Sequence, residues 1–86
     1  MRGIELRPQA FEQMNDWLRE DRKILQRILR ILKECQRTPF EGIGKPEPLR
    51  GELSGCWSRR INDEHRLVYE VTEELIIVLS MYGHYD

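Results

Sequence analysis

Apolar residues change their period partway along the chain. Between Pro8 and Cys35 they recur at three- and four-residue intervals, and from Cys56 onward they come in short runs separated by polar turns. Pro8 suits the first turn of a helix, where its missing N–H costs nothing. Ala10, Phe11, Met14, Trp17 and Leu18 then form one stripe of a first helix. Asp21 is positioned to cap a second, longer helix. Its inner face would carry Ile24, Leu25, Ile28, Leu29, Leu32 and Cys35, with Arg22, Lys23, Arg27, Arg30 and Lys33 among the solvent positions. That helix must stop before Thr38-Pro39, because a residue preceding proline avoids the α region. Met1 to Arg7 reads as a short first strand. Cys56–Ile61, Arg66–Val71 and Leu75–Met81 read as strands joined by the turns Asn62–His65 and Thr72–Glu74. Leu67 and Tyr69 should point to one face, with Arg66, Val68 and Glu70 on the other. The nearly all-apolar third run belongs in mid-sheet. The expected fold class is α+β: a short N-terminal strand, a helical hairpin, then a three- to four-stranded antiparallel sheet. Both helices should cover one sheet face and leave the other free.

Between these halves lies "EGIGKPEPLRGELSG", Glu41 to Gly55. It holds four of the six glycines and two of the four prolines in a chain of 86 residues. Connections in compact domains usually run to about 4–6 residues, and longer ones tend to be functional or disordered. A chain of this size forms one domain, residues 1–86, with no material for a second core. A stretch this long therefore has a task.

Composition narrows the classes. With 40% apolar and 34% charged residues, the chain reads as globular. No apolar run approaches the ~20 residues of a membrane span, and Glu5 and Arg7 interrupt any signal-peptide segment, so the expected location is the cytoplasm. Cys35 and Cys56 form no C-x-x-C pair and read as small apolar residues. Two histidines without zinc-type spacing make a structural metal unexpected, and no cofactor motif is present. The net charge is −1, with nine Lys/Arg against seven Asp/Glu up to residue 44 and five against eight thereafter. Proteins that grip nucleic acid by bulk charge are normally basic.

The candidate chemistry lies in Lys45, Glu47, Arg50, Arg59, Arg60, Arg66, His84 and Tyr85. Glu47 stands between Pro46 and Pro48, which restrict the backbone around it. Arg59, Arg60 and Arg66 occupy neighbouring strands, where guanidinium groups can clamp phosphate oxygens or simply pair with Glu52, Glu64 or Glu70. His84 titrates near neutrality and can donate a proton while Glu47 accepts one. Tyr85 can stack on an unpaired base or cover the sheet edge. Trp17 and Trp57 read as core. His65, Asp86 and the Glu73-Glu74 turn carry no usable signal. A base, an acid and several guanidinium groups suit RNA cleavage by the substrate's own 2′-hydroxyl.

The segment "RTPFEGIGKPEPLRGELSGCWSRRINDEHRLVYEV", with "GHYD" at the end, closely resembles the YoeB/Txe family of bacterial toxins in the RelE superfamily. The resemblance runs from Arg37 to Tyr85, and the N-terminal helices fit it in length and pattern. It implies a RelE-like fold of the microbial-ribonuclease type. It also implies a ribosome-dependent endoribonuclease that cuts mRNA in the ribosomal A site without a metal, leaving a 2′,3′-cyclic phosphate and a 5′-hydroxyl. By motif, Glu47 would be the general base, His84 the general acid and Arg66 the stabiliser of the phosphate. Lys45, Arg50, Arg60 and Tyr85 would hold substrate, with Arg59 a weaker candidate. The implied partners are a YefM/Phd-type antitoxin, the ribosome and mRNA, with a homodimer in some members and operator DNA reached only through the antitoxin complex. Family toxins are commonly basic, whereas this chain has a calculated pI of about 6.1. The residue before His84 is Gly83, and the chain runs on to Asp86. A non-catalytic partner that binds antitoxin or operator, and a free-standing ribonuclease, are the alternatives.

Overall fold

The computed structural model describes residues 1–83; His84, Tyr85 and Asp86 lie outside the described residues. The chain runs through β1 (Gly3–Leu6), α1 (Pro8–Glu20), α2 (Arg22–Cys35), β2 (Glu47–Pro48), β3 (Cys56–Arg60), β4 (Arg66–Val71) and β5 (Leu75–Ser80). A short 3-10 turn at Gly51–Leu53 lies between β2 and β3. The five strands form one sheet in the order β1-β5-β4-β3-β2. The meander from β2 to β5 is antiparallel, as the short turns require, but β1 joins β5 in parallel. The antiparallel part has four strands, within the three to four expected, and the N-terminal strand joins it in parallel to make a mixed five-stranded sheet. The helical hairpin provides the crossover that a parallel pair needs, and β5 lies in mid-sheet as its apolar run indicates.

Local chemistry explains the helix boundaries. Pro8 opens α1. The Asp21 carboxylate accepts from the Lys23 and Ile24 amides, satisfying two of the orphan donors at the start of α2. Ala10 and Trp17 are buried, and Met14 packs against them. Phe11 and Leu18, expected in the same stripe, stay 56% and 44% exposed. Each lies one residue, about 100° of helical turn, beyond a buried neighbour. In α2 the buried set is Ile28, Ile31, Leu32 and Cys35, an i, i+3, i+4, i+7 pattern. Ile31 replaces the expected Leu29, which is exposed. These helix residues meet Leu67, Tyr69, Ile76 and Val78 in one core between the helices and the sheet. Both cysteines are free and buried, and burial raises the pKa of each thiol. No helix among the described residues is long and apolar enough to cross a membrane.

Candidate functional site

Register decides which side chains face the helices. Leu67 and Tyr69 of β4 belong to the core, so their partners in β3, Arg59 and Trp57, share the helix side. The alternate row lies on the uncovered side: Ser58 opposite Val68, and Arg60 opposite Arg66. Glu47 pairs with Ser58 and therefore belongs to this row as well. Ideal sheet spacing puts the Glu47 and Arg66 Cα atoms on the order of 10–12 Å apart, a span that two long side chains and a bound phosphate can bridge.

The Glu41–Gly55 stretch is not a free loop. Glu47 and Pro48 form a two-residue edge strand on β3, an edge position being the one a proline tolerates. The Leu49 amide donates to the Cys56 carbonyl at 2.9 Å, and the Arg60 amide donates to the Gly44 carbonyl at 2.7 Å. Gly44 has φ +83°, and a Cβ there would come within 2.7 Å of the Arg60 carbonyl oxygen. Glycine is what allows the backbone to approach β3 so closely. Lys45 follows with φ +52°, a positive value that non-glycine residues adopt infrequently. The turn through Gly44 and Lys45 sets the entry of the chain into Glu47.

Arg59 is the keystone beneath this segment and not a surface substrate contact. Its side chain is completely buried. Nη1 donates to Glu34 Oε1 at 2.5 Å and to the Ile43 carbonyl, Nη2 donates to the carbonyls of Thr38 and Glu41, and Nε donates to the Tyr69 hydroxyl. The Tyr69 hydroxyl in turn donates to the Pro39 carbonyl at 2.6 Å, and Glu34 Oε1 also accepts from the Ile43 amide. One guanidinium thereby ties the end of α2, residues 38–43 and β4 together. Burial alone would lower the pKa of Arg59, but the bonds to Tyr69 and Glu34 outweigh it and hold the value above the usual one. Burial acts to raise the Glu34 pKa, yet Arg59 and the Ile43 amide pull it below the normal carboxylate value. The Tyr69 hydroxyl, chiefly through burial, is pushed up to about 12. The expectation that Arg59 binds substrate is therefore corrected. Its position in β3 turns it inward, whereas Arg60 one residue later faces outward.

The outward charges are in a different state. Lys45, Glu47, Arg50 and Arg60 are exposed, and among the described residues none of their side chains forms a hydrogen bond or ion pair. Arg66 is half-buried. Its Nη1 donates to the Asn62 carbonyl at 2.7 Å and the His65 carbonyl at 3.2 Å, which holds the guanidinium against the β3–β4 turn. Next to this row is a depression of about 310 Å³, bordered by Arg7, Leu53, Val68, Leu79 and Ser80. Leu79 is the extra residue where the β4–β5 register shifts, a bulge that re-aims side chains locally.

The structure therefore brings Glu47, Arg60 and Arg66 to one open face and sets Lys45 and Arg50 on either side of β2. His84 and Tyr85, the remaining candidates, lie outside the described residues. A residue that sequence reasoning passed over is His65. Its Nδ1 accepts the Gly83 amide at 2.9 Å, and its ring lies 4.9 Å from Trp17 and 4.4 Å from Tyr82, centre to centre. Nothing local in the sequence marks it, because all three of those partners are distant along the chain.

Two helices on one side of a mixed sheet, with a cation-bordered face left open on the other, make this a small α+β protein with the fold of RelE-type toxins. The family model for the YoeB-like toxin of bacterial type II toxin-antitoxin systems matches residues 6–85, and the chain belongs to that family. It is 54% identical over 85 residues to the toxin YoeB of Mycobacterium bovis, an alignment covering 99% of this chain and all of that protein. Among solved structures, the YoeB dimer from Staphylococcus aureus is 45% identical, with a TM-score of 0.91 and 98% of each chain covered. The toxin in the heterotetrameric YoeB–YefM complex of the same species is 43% identical, with a TM-score of 0.88 and 99% of each chain covered.

Proposed function

We propose that this toxin is a ribosome-dependent endoribonuclease that cleaves mRNA in the A site by general acid–base catalysis, without a metal. Glu47 removes the proton from a substrate 2′-hydroxyl, and the resulting oxygen attacks the adjacent phosphorus. Arg66 stabilises the charge that develops on the non-bridging oxygens. His84 protonates the departing 5′-oxygen, so the P–O5′ bond breaks and leaves a 2′,3′-cyclic phosphate and a 5′-hydroxyl. Lys45, Arg50 and Arg60 hold the RNA backbone, and Tyr85 stacks on a base. The depression beside Val68 is large enough to take a nucleobase. The chain's overall charge of −1 does not describe this face, where Lys45, Arg50, Arg60 and Arg66 accompany Glu47 and Glu70. Such local fields steer anionic partners even when the net charge does not.

The observation that carries this reading is that strand register puts Glu47 and Arg66 on the same sheet face, the one without helices. On that face Glu47 and Arg60 have no side-chain partner among the described residues, while Arg66 is held by the carbonyls of Asn62 and His65. A YefM-type antitoxin is the proposed inhibitory partner, and self-association as a dimer is proposed by analogy with the Staphylococcus aureus structures. Any contact with operator DNA is assigned to the complex with antitoxin. The cytoplasm, where ribosomes and mRNA meet, is the proposed location. The test is primer extension on mRNA from cells expressing the parent or Glu47→Gln. Discrete cuts within translated frames are expected with the parent and none with the variant. Equal cutting of naked RNA would indicate a free-standing nuclease, and no cutting by the folded parent a non-catalytic binder.

A further inference from the structure

The segment that follows β5 is fastened residue by residue. The Met81 amide donates to Gln13 Oε1 at 2.7 Å, and the Met81 carbonyl accepts from Trp17 Nε1 at 2.9 Å. The Tyr82 ring stacks on Trp17 at 4.8 Å with 25° between planes. Gly83 is held from both sides: its amide donates to His65 Nδ1 at 2.9 Å, and its carbonyl accepts from the Arg66 amide at 2.8 Å. Each bond fixes one peptide plane, since a peptide unit is rigid. Gly83 has φ +90°, a conformation only glycine adopts without strain.

His65 is itself anchored. Its amide donates to Asn62 Oδ1 at 2.8 Å, and its carbonyl accepts from the Ile61 amide at 2.9 Å and from Arg66 Nη1 at 3.2 Å. Because Nδ1 accepts from Gly83, the imidazole carries its proton on Nε2. One residue thus touches both halves of the proposed catalytic arrangement: its carbonyl holds the Arg66 guanidinium, and its ring nitrogen holds the Tyr82–Gly83 peptide that precedes His84.

We propose that His65 is a positioning residue, whose Nδ1 fixes Gly83 beside Arg66 and thereby sets the direction in which the chain proceeds to the general acid. This inference rests on the endoribonuclease reading. A displacement of about 1 Å in a catalytic group can cost on the order of 100-fold in rate, and the imidazole acceptor holds the Tyr82–Gly83 peptide against such a displacement.

The test uses the intact chain and three variants. His65→Phe keeps a ring between Trp17 and Tyr82 but has no acceptor. His65→Asn keeps an acceptor near the Nδ1 position and loses most of the ring. Single-turnover cleavage is measured on ribosomes programmed with a defined A-site codon, and Gly83 amide exchange is followed by NMR in a Glu47→Gln background. His65→Phe is expected to lower kcat by about 10–100-fold with little change in KM and to speed Gly83 exchange, and His65→Asn to recover most of both. If His65→Phe does not fold, His65→Gln, whose amide reaches the Nε2 position instead, is expected to show the same losses. Parental kcat in the acceptor-free variant, unchanged Gly83 exchange, or failure of His65→Asn to rescue would each overturn the proposal. A folded parent that cuts nothing would instead count against the endoribonuclease reading, and the exchange data would then decide the role of His65.

Discussion

Arg59 and Arg60 are adjacent in β3 and spend their charge in opposite ways. Arg59, turned toward the helices, is fully buried and donates to a carboxylate, a phenol and three backbone carbonyls. Arg60, turned toward the uncovered side, is exposed and its side chain has no partner among the described residues. The same contrast holds for the carboxylates: Glu34 is bound to Arg59 and to the Ile43 amide, whereas Glu47 has no partner among the described residues. A one-residue step along a strand is enough to separate the two roles, because side chains alternate between faces. Polar groups on the helix side hold residues 38–43 in place, and Glu47 and Arg60 on the open side have no side-chain partner among the described residues.

Four experiments would break or sharpen this contrast. The largest effect is expected from Glu47→Gln, which should lower cleavage on the ribosome by about 10²–10⁴-fold. Its urea midpoint should stay at the parental value, and a large shift would show that Glu47 stabilises the fold. Next comes Arg59→Ala, expected to cost about 3–5 kcal/mol because a buried charge pair loses one partner. Arg60→Ala should change stability by no more than about 0.5 kcal/mol while weakening RNA cleavage. Equal stability losses for the two arginine variants would erase the distinction between the faces. Tyr69→Phe removes the hydroxyl that links Arg59 to the Pro39 carbonyl and is expected to cost about 1–3 kcal/mol in equilibrium unfolding.

The smallest effect is on pH dependence. Arg59 holds the folded-state pKa of Glu34 below its unfolded value. The stability gained is therefore fully present above the normal carboxylate range and lost as pH falls through the lowered folded value. Denaturant midpoints measured from neutral pH downward should fall in that acidic window, and Glu34→Gln should flatten the fall. An unchanged slope in the variant would assign the acid sensitivity to other carboxylates.

Much of the frame was legible in the sequence because it is written in local periodicity and capping chemistry. Pro8 and Asp21 open the two helices as read, β3, β4 and β5 lie where the apolar runs place them, and Leu67 and Tyr69 face the core together. The parallel pairing of β1 with β5 was not legible, since no local pattern encodes strand direction across a gap of some seventy residues. The inward turn of Arg59 was hidden for a related reason. Its partners, Glu34, Thr38, Glu41, Ile43 and Tyr69, come from three separate segments, and an arginine beside another arginine gives no sign of which one is buried. His65 is the same case: its ring contacts span α1 and the end of β5. Family resemblance carried the site assignments of Glu47 and Arg66 further than composition could have.

The placing of β5 has a bearing on how the toxin comes into being. It is the last strand in chain order, yet it is hydrogen-bonded on both sides, to β1 and to β4. A nascent chain that has not yet released residues 75–80 leaves β1 without any neighbour and β4 with a bare edge. The sheet, and with it the face that carries Glu47 and Arg66, is therefore complete only once residues 75–80 have paired on both sides.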